Sequence, residues 1–112
     1  MTPETSDADT TPPIGGSDDN VVFVGKKGVM DYVMAIMAQF SKGTSDVVVK
    51  ARGHSISRAV DAVEATRNLY LTDMKVTDIK IGTEEMEGKR GDMINVSWIE
   101  LFISSPEGDR TE

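Results

Sequence analysis

The chain has 112 residues, 38 % of them apolar and 28 % charged, a size and composition that fit one globular domain and leave little room for a second. Its formal charge of −7 argues at first against a polyanionic partner, and the absence of cysteine excludes disulfides, zinc–thiolate sites and thiol catalysis. No apolar run reaches the length of a membrane span and the first residues are acidic and polar, so a soluble, cytoplasmic protein without membrane contact is expected.

The whole-chain charge is unevenly placed. Residues 1–19, rich in Thr, Pro, Ser and Asp, hold Glu4, Asp7, Asp9, Asp18 and Asp19 and no base. With Ile14 as its one large apolar residue beyond the first position, this segment buries too little surface to offset its ordering entropy and is expected to be a disordered acidic tail. Residues 106–112 form a second acidic tail, with Glu107, Asp109 and Glu112 against Arg110. The stretch between, residues 20–105, carries as many bases as acids and is the expected folded domain.

Within that domain the hydrophobic period changes in order. Val21–Val24 is a short apolar run ended by Gly25, as in a buried strand. From Val29 a broad helical stripe follows, through Val33, Ile36 and Phe40 with Met30, Met34 and Met37 alongside, and Lys42-Gly43 supplies a stop. Val47-Val48-Val49 closes a right-handed βαβ unit whose two strands are parallel. After Arg52-Gly53 a second helix is predicted, with Ile56, Ala59, Val60, Val63 and Tyr70 on one face and Ser55 or Ser57 as its cap. Two alternating segments, Thr77–Ile81 and Ile99–Ile103, then frame a long polar hairpin tip, EEMEGKRGD. The order β-α-β-α-β-β gives an α+β two-layer sandwich, two helices on a mixed four-stranded sheet.

Catalytic chemistry finds little footing. His54, the single histidine, lies between Gly53 and Ser55 with no third member for a nucleophilic site. Glu84, Glu85, Glu87 and Asp92 lack the spacing of a calcium loop and read as a solvated hairpin. No enzyme, cofactor or metal is expected. The basic residues are better organised. Gly25-Lys26-Lys27-Gly28 follows the first strand and opens the first helix; Lys50-Ala51-Arg52-Gly53-His54 follows the second strand and opens the second helix. In parallel β-α units such loops fall at one edge of the sheet, so Lys26, Lys27, Lys50 and Arg52 are expected to gather there as unpaired cations. Glycines allow close backbone approach to a phosphate, and helix N-termini favour anions. A Lys-Lys pair is also an ordinary solubilising feature, and GKKG is neither a Walker loop nor in the context of a KH clamp. Lys89 and Arg90 form a second cationic point suited to a minor groove or a phosphate backbone, beside glutamates that oppose it. Trp98 and Phe102 read as core residues or parts of a subunit interface.

Together, NVVFVGKKGVMDYVMA and SDVVVKARGHSISRAVDAVEATRNLYL resemble the Alba family, the small nucleic-acid-binding chromatin proteins of archaea, over about residues 20–104. The resemblance implies the β-α-β-α-β-β fold and a homodimer that coats and compacts double-stranded DNA without strong sequence preference and also binds RNA. On it, Lys26 and Lys27 correspond to the central phosphate-binding pair, with Lys26 the position acetylated in some members, a direct electrostatic switch. Lys50 and Arg52 correspond to the KARG contacts with His54 at the next, also nucleic-acid-binding, position, Lys89 and Arg90 lie in the hairpin laid along the minor groove, and Tyr70 falls where dimers join side by side.

The chain also departs from that pattern. His54 stands for a usual arginine, exchanging a permanent charge for a titratable one. Ser55 stands for alanine, Gly28 for a helix-opening proline, and Tyr70 for phenylalanine. With the long acidic tail, these departures point to weaker or more regulated binding. A role in RNA folding or processing and a non-catalytic interaction domain are the rival expectations.

Overall fold

The computed structural model describes residues 20–106; both expected tails, residues 1–19 and nearly all of 106–112, lie outside the described residues. The elements run β1 (Val21–Phe23), α1 (Val29–Ser41), β2 (Asp46–Arg52), a 3₁₀ turn (Gly53–Ser55), α2 (Ile56–Leu69), β3 (Lys75–Glu87) and β4 (Met93–Ser104). They form one sheet in the order β1-β2-β4-β3, with β1 parallel to β2 and the other pairs antiparallel. The expected mixed sheet with two helices is thereby met.

The register explains which side is core. Val22 pairs with Val49, Val49 with Leu101, and Ala51 with Ile99, so their side chains share the face under the helices. On that face Val49, Leu101 and Ile103 are buried against Val33, Ile36 and Phe40 of α1 and Ala59, Ala62 and Val63 of α2. Val33 and Ile36 have no exposed surface; each such aliphatic contributes about 1.5–3 kcal/mol by leaving water. α1 ends as the sequence predicts, with Lys42 as C-cap and Gly43 at φ +95°, where a side chain would be strained.

Five expectations need correction. The α1 stripe is narrower than drawn: Met30 and Met34 are exposed, while Tyr32, outside the expected stripe, is buried. In α2 the inner face is Ala59, Ala62, Val63 and Thr66, whereas Val60 and Tyr70 are exposed. Small residues win there because they let the helix approach the sheet closely, and the Thr66 hydroxyl is satisfied by donating to the Ala62 carbonyl at 2.8 Å. Neither Ser55 nor Ser57 caps α2 through its side chain; the 3₁₀ turn precedes the helix instead. The hairpin is mostly strand, because Glu84–Glu87 pair with Met93–Val96 and the turn shrinks to residues 88–92. Finally, Trp98 and Phe102 are half-buried on the sheet face away from the helices, since they share register positions with Arg52 and Val48 rather than with the core valines.

Two features of β3 and β4 shape the surface. Ile79 and Ile81 face the helix side, opposite Leu101 and Ile99, yet they are 55 % and 75 % exposed because α2 does not extend over this outermost strand. On the other face Trp98 lies across Gly82, where an added methyl would overlap the indole Cζ2 and stand 2.7 Å from Cε2. Glycine is what permits the indole to cross β3 there.

Candidate nucleic-acid interface

β1 and β2 are parallel, and each feeds a helix, so the loop Gly25–Gly28 and the turn Gly53–Ser55 emerge at the same edge of the sheet. Lys26, Lys27, Arg52 and His54 are exposed at this edge. Lys50 sits two residues further in and is half-buried. The last rung of β2 is Arg52 opposite Trp98, but the β3–β4 ladder continues from Thr83–Ser97 to Glu87–Met93. Five further rungs at about 3.4 Å each carry the hairpin about 17 Å beyond β2. At its end Gly88 donates to the Asp92 carbonyl at 2.7 Å and Gly91 adopts φ +88°, which closes the turn bearing the exposed Lys89 and Arg90. The arm therefore leaves the domain at the edge that holds both cationic loops.

The expectation of four unpaired cations is half right. Lys26 and Lys27 make no ion pair among the described residues, but Arg52 Nη1 lies 3.0 Å from Glu84 Oε2 and Lys50 Nζ lies 3.7 Å from Glu100 Oε2. The physical cause is cross-strand register: Lys50 is directly opposite Glu100, and Glu84 is two rungs beyond the Arg52–Trp98–Gly82 row, on the same sheet face. Both pairs are solvated, so each contributes about 0–1 kcal/mol and can be exchanged for a phosphate at low cost. Lys50 also lies 5.8 Å above the centre of the exposed Phe23 ring, and Lys80 lies 5.2 Å above Phe102.

The lysine loop is held by Tyr32 and Arg58, which residue patterns did not single out, and by Ser55, expected there only as a helix cap. The Tyr32 hydroxyl accepts from the Gly25 amide at 2.8 Å and from the Lys27 amide at 3.1 Å. The Gly25 carbonyl accepts from the Ser55 hydroxyl at 3.2 Å and from the Arg58 guanidinium. A tyrosine one helical turn after a glycine-bounded loop, facing inward, was the available signal. Arg58 is brought into the site because the loop folds back over the start of α2. No group of histidines and carboxylates capable of holding a metal occurs among the described residues. Nor is any described helix long and apolar enough to cross a membrane.

Two layers of this topology, with paired cationic loops and a projecting arm at one edge, define an α+β domain with a cationic edge. A family model described as Alba matches residues 20–83. The DNA/RNA-binding protein Alba of Methanocella arvoryzae is 51 % identical over 89 residues, covering 80 % of this chain and 93 % of that protein. Its counterpart in Thermoplasma acidophilum is 44 % identical over 88 residues, covering 79 % and 98 %. The solved structure of Alba from Thermoplasma volcanium superposes with a TM-score of 0.72 at 45 % identity, covering 76 % of this chain and 99 % of that one. The chain belongs to the Alba family.

Proposed function

We propose that this protein is a homodimeric chromatin protein that coats double-stranded DNA without sequence preference, associated with the chromosome in the cytoplasm, and that it also binds RNA. The observation that carries this reading is the single sheet edge shared by the Gly25–Gly28 loop, the Arg52–His54 segment and the base of the β3–β4 arm. Lys26 and Lys27 supply mobile charges to adjacent phosphates, Lys50 and Arg52 exchange carboxylate partners for phosphates, and His54 borders them. Lys89 and Arg90 meet the backbone or minor groove about 17 Å further out. Long, exposed lysine and arginine side chains suit phosphate contacts, which carry no sequence information, and this favours sequence-tolerant binding. The role is one of binding, without a catalytic step. Relatives carrying the name DNA/RNA-binding protein Alba support the same reading.

Dimerisation is supported by the bare apolar face of β3. Ile79, Ile81 and Val60 are exposed together with a shallow hollow lined by Ile56, Ile81 and Ile99. A second copy presenting the same surface would cover it through a two-fold contact. Exposed Tyr70 and Leu69 at the end of α2 suit a separate contact between dimers. Acetylation of Lys26 would remove one of the two loop charges and weaken binding.

The test is electrostatic. Lys26→Gln with Lys27→Gln should weaken binding to every duplex alike and make the log–log salt slope shallower by about 2, from a wild-type slope of order −4 or steeper. A flat wild-type salt response, or loss on one sequence only, would contradict the proposal. RNA binding has an observation of its own. Phe23 and Phe102 share the open sheet face with Lys50 and Lys80, a surface on which unpaired bases can stack. Structured RNA and duplex DNA compared at one salt concentration separate the two preferences.

A further inference from the structure

We infer that Tyr32, Ser55 and Arg58 are positioning residues that clamp the backbone of Gly25 and so hold the lysine loop in a fixed shape against the start of α2. The inference rests on the nucleic-acid reading above and says how that site is organised. A phenolic oxygen has two acceptor sites, and both are filled here, by the amides of Gly25 and Lys27. A carbonyl oxygen also has two, and that of Gly25 is filled by Ser55 and Arg58. One residue is thus held through both of its backbone polar groups, by α1 on one side and by Ser55 and the first turn of α2 on the other.

The consequence is mechanical. Loops between strands and helices normally keep backbone freedom that a ligand must remove on binding. Here the two amides flanking Lys26 are already committed, and the Gly53–Ser55 turn is tied to the lysine loop across 30 residues of sequence. The cations of the two loops then meet a phosphate backbone as one unit. Arg58 adds a charge at the base of the loop that no carboxylate among the described residues neutralises. Tyr32 is buried in the core cluster, so its ring serves packing while its hydroxyl serves the loop. Those two roles can be separated by substitution.

The experiment compares Tyr32→Phe and Ser55→Ala with the wild-type protein, full chain in each case. It measures amide hydrogen exchange at Gly25 and Lys27 and affinity for a random-sequence duplex over a salt series, with Lys26→Gln as a charge comparator. Tyr32→Phe should speed exchange at both amides and weaken binding of order tenfold. Because no charge is removed, the salt slope should match the wild type, whereas Lys26→Gln should make it shallower by about 1. Ser55→Ala should act in the same direction by a few-fold, and it carries the test alone should the tyrosine variant fail to fold. Wild-type affinity in the face of faster exchange would overturn the positioning role, and unchanged exchange would overturn the clamp. A shallower slope in Tyr32→Phe would make the hydroxyl a phosphate contact and overturn the inference as stated. If the wild-type protein bound no duplex or RNA at any salt, the nucleic-acid reading would fall, while exchange would still report whether the loop is clamped.

Discussion

Arg52 and Glu84, on strands separated by β4, meet across the open face of the sheet with Nη1 and Oε2 3.0 Å apart. The arginine at the cationic edge is thus already answered by a carboxylate from the root of the arm. Glu84→Gln should release it. Duplex affinity should rise about threefold at low salt, since the exposed pair contributes less than about 1 kcal/mol, and the gain should fade as salt rises. Anisotropy titrations at two ionic strengths check this, and an affinity at or below wild type would count against Arg52 as a phosphate contact.

The bare isoleucines of β3 make a separate prediction. Ile81→Glu places a charge where the two copies would meet, and Ile81 is 75 % exposed in the single chain. The variant should fold normally and sediment as a monomer, because burying an unpaired carboxylate in an apolar contact costs several kcal/mol. A variant that remains dimeric would move the interface elsewhere.

Gly82 bears on stability. Gly82→Ala forces Trp98 off its place on β3, and such overpacking costs about 1–3 kcal/mol. Urea unfolding should show a lower midpoint with an unchanged slope, and Trp98 fluorescence should shift toward that of a more solvated indole. An unchanged midpoint would mean that the indole has an equally good second position.

The acidic segment 1–19 lies outside the described residues, and its effect follows from charge alone. Five carboxylates tethered to the strand that leads into the lysine loop would compete with phosphates at a high local concentration. Deleting residues 1–19 should raise duplex affinity most at low salt. Equal affinity of the two forms would show that the segment does not engage the basic edge.

Much of this architecture is legible in residue order, for reasons that differ by element. Val21–Val24 and Val47–Val49 are β-branched runs with a helix between them, and the handedness of such a unit places both following loops at one edge. The position of Lys26 and Lys27 follows from that alone. Pairing partners do not. Glu100 faces Lys50 because of a register set by two strands far apart in sequence, so periodicity within either strand is silent about it. The hairpin was underestimated because Glu84, Glu85 and Glu87 look like turn residues; in a ladder exposed on both faces, charge carries no strand signal. Tyr32 was missed for a different reason. Its burial is apparent from its helical phase only once the loop that needs its hydroxyl is seen to fold back on it.

The five rungs beyond Arg52 have a geometric consequence for how much nucleic acid one subunit spans. A β-ladder lengthens only in paired steps that keep each side chain on its face, and two residues per strand add about 7 Å. At about 3.4 Å per base pair, that is a change of two base pairs. With the arm laid along a duplex as proposed, footprint would be a property written in rung number, adjustable in discrete increments without altering the core, the loops or the charge at the tip.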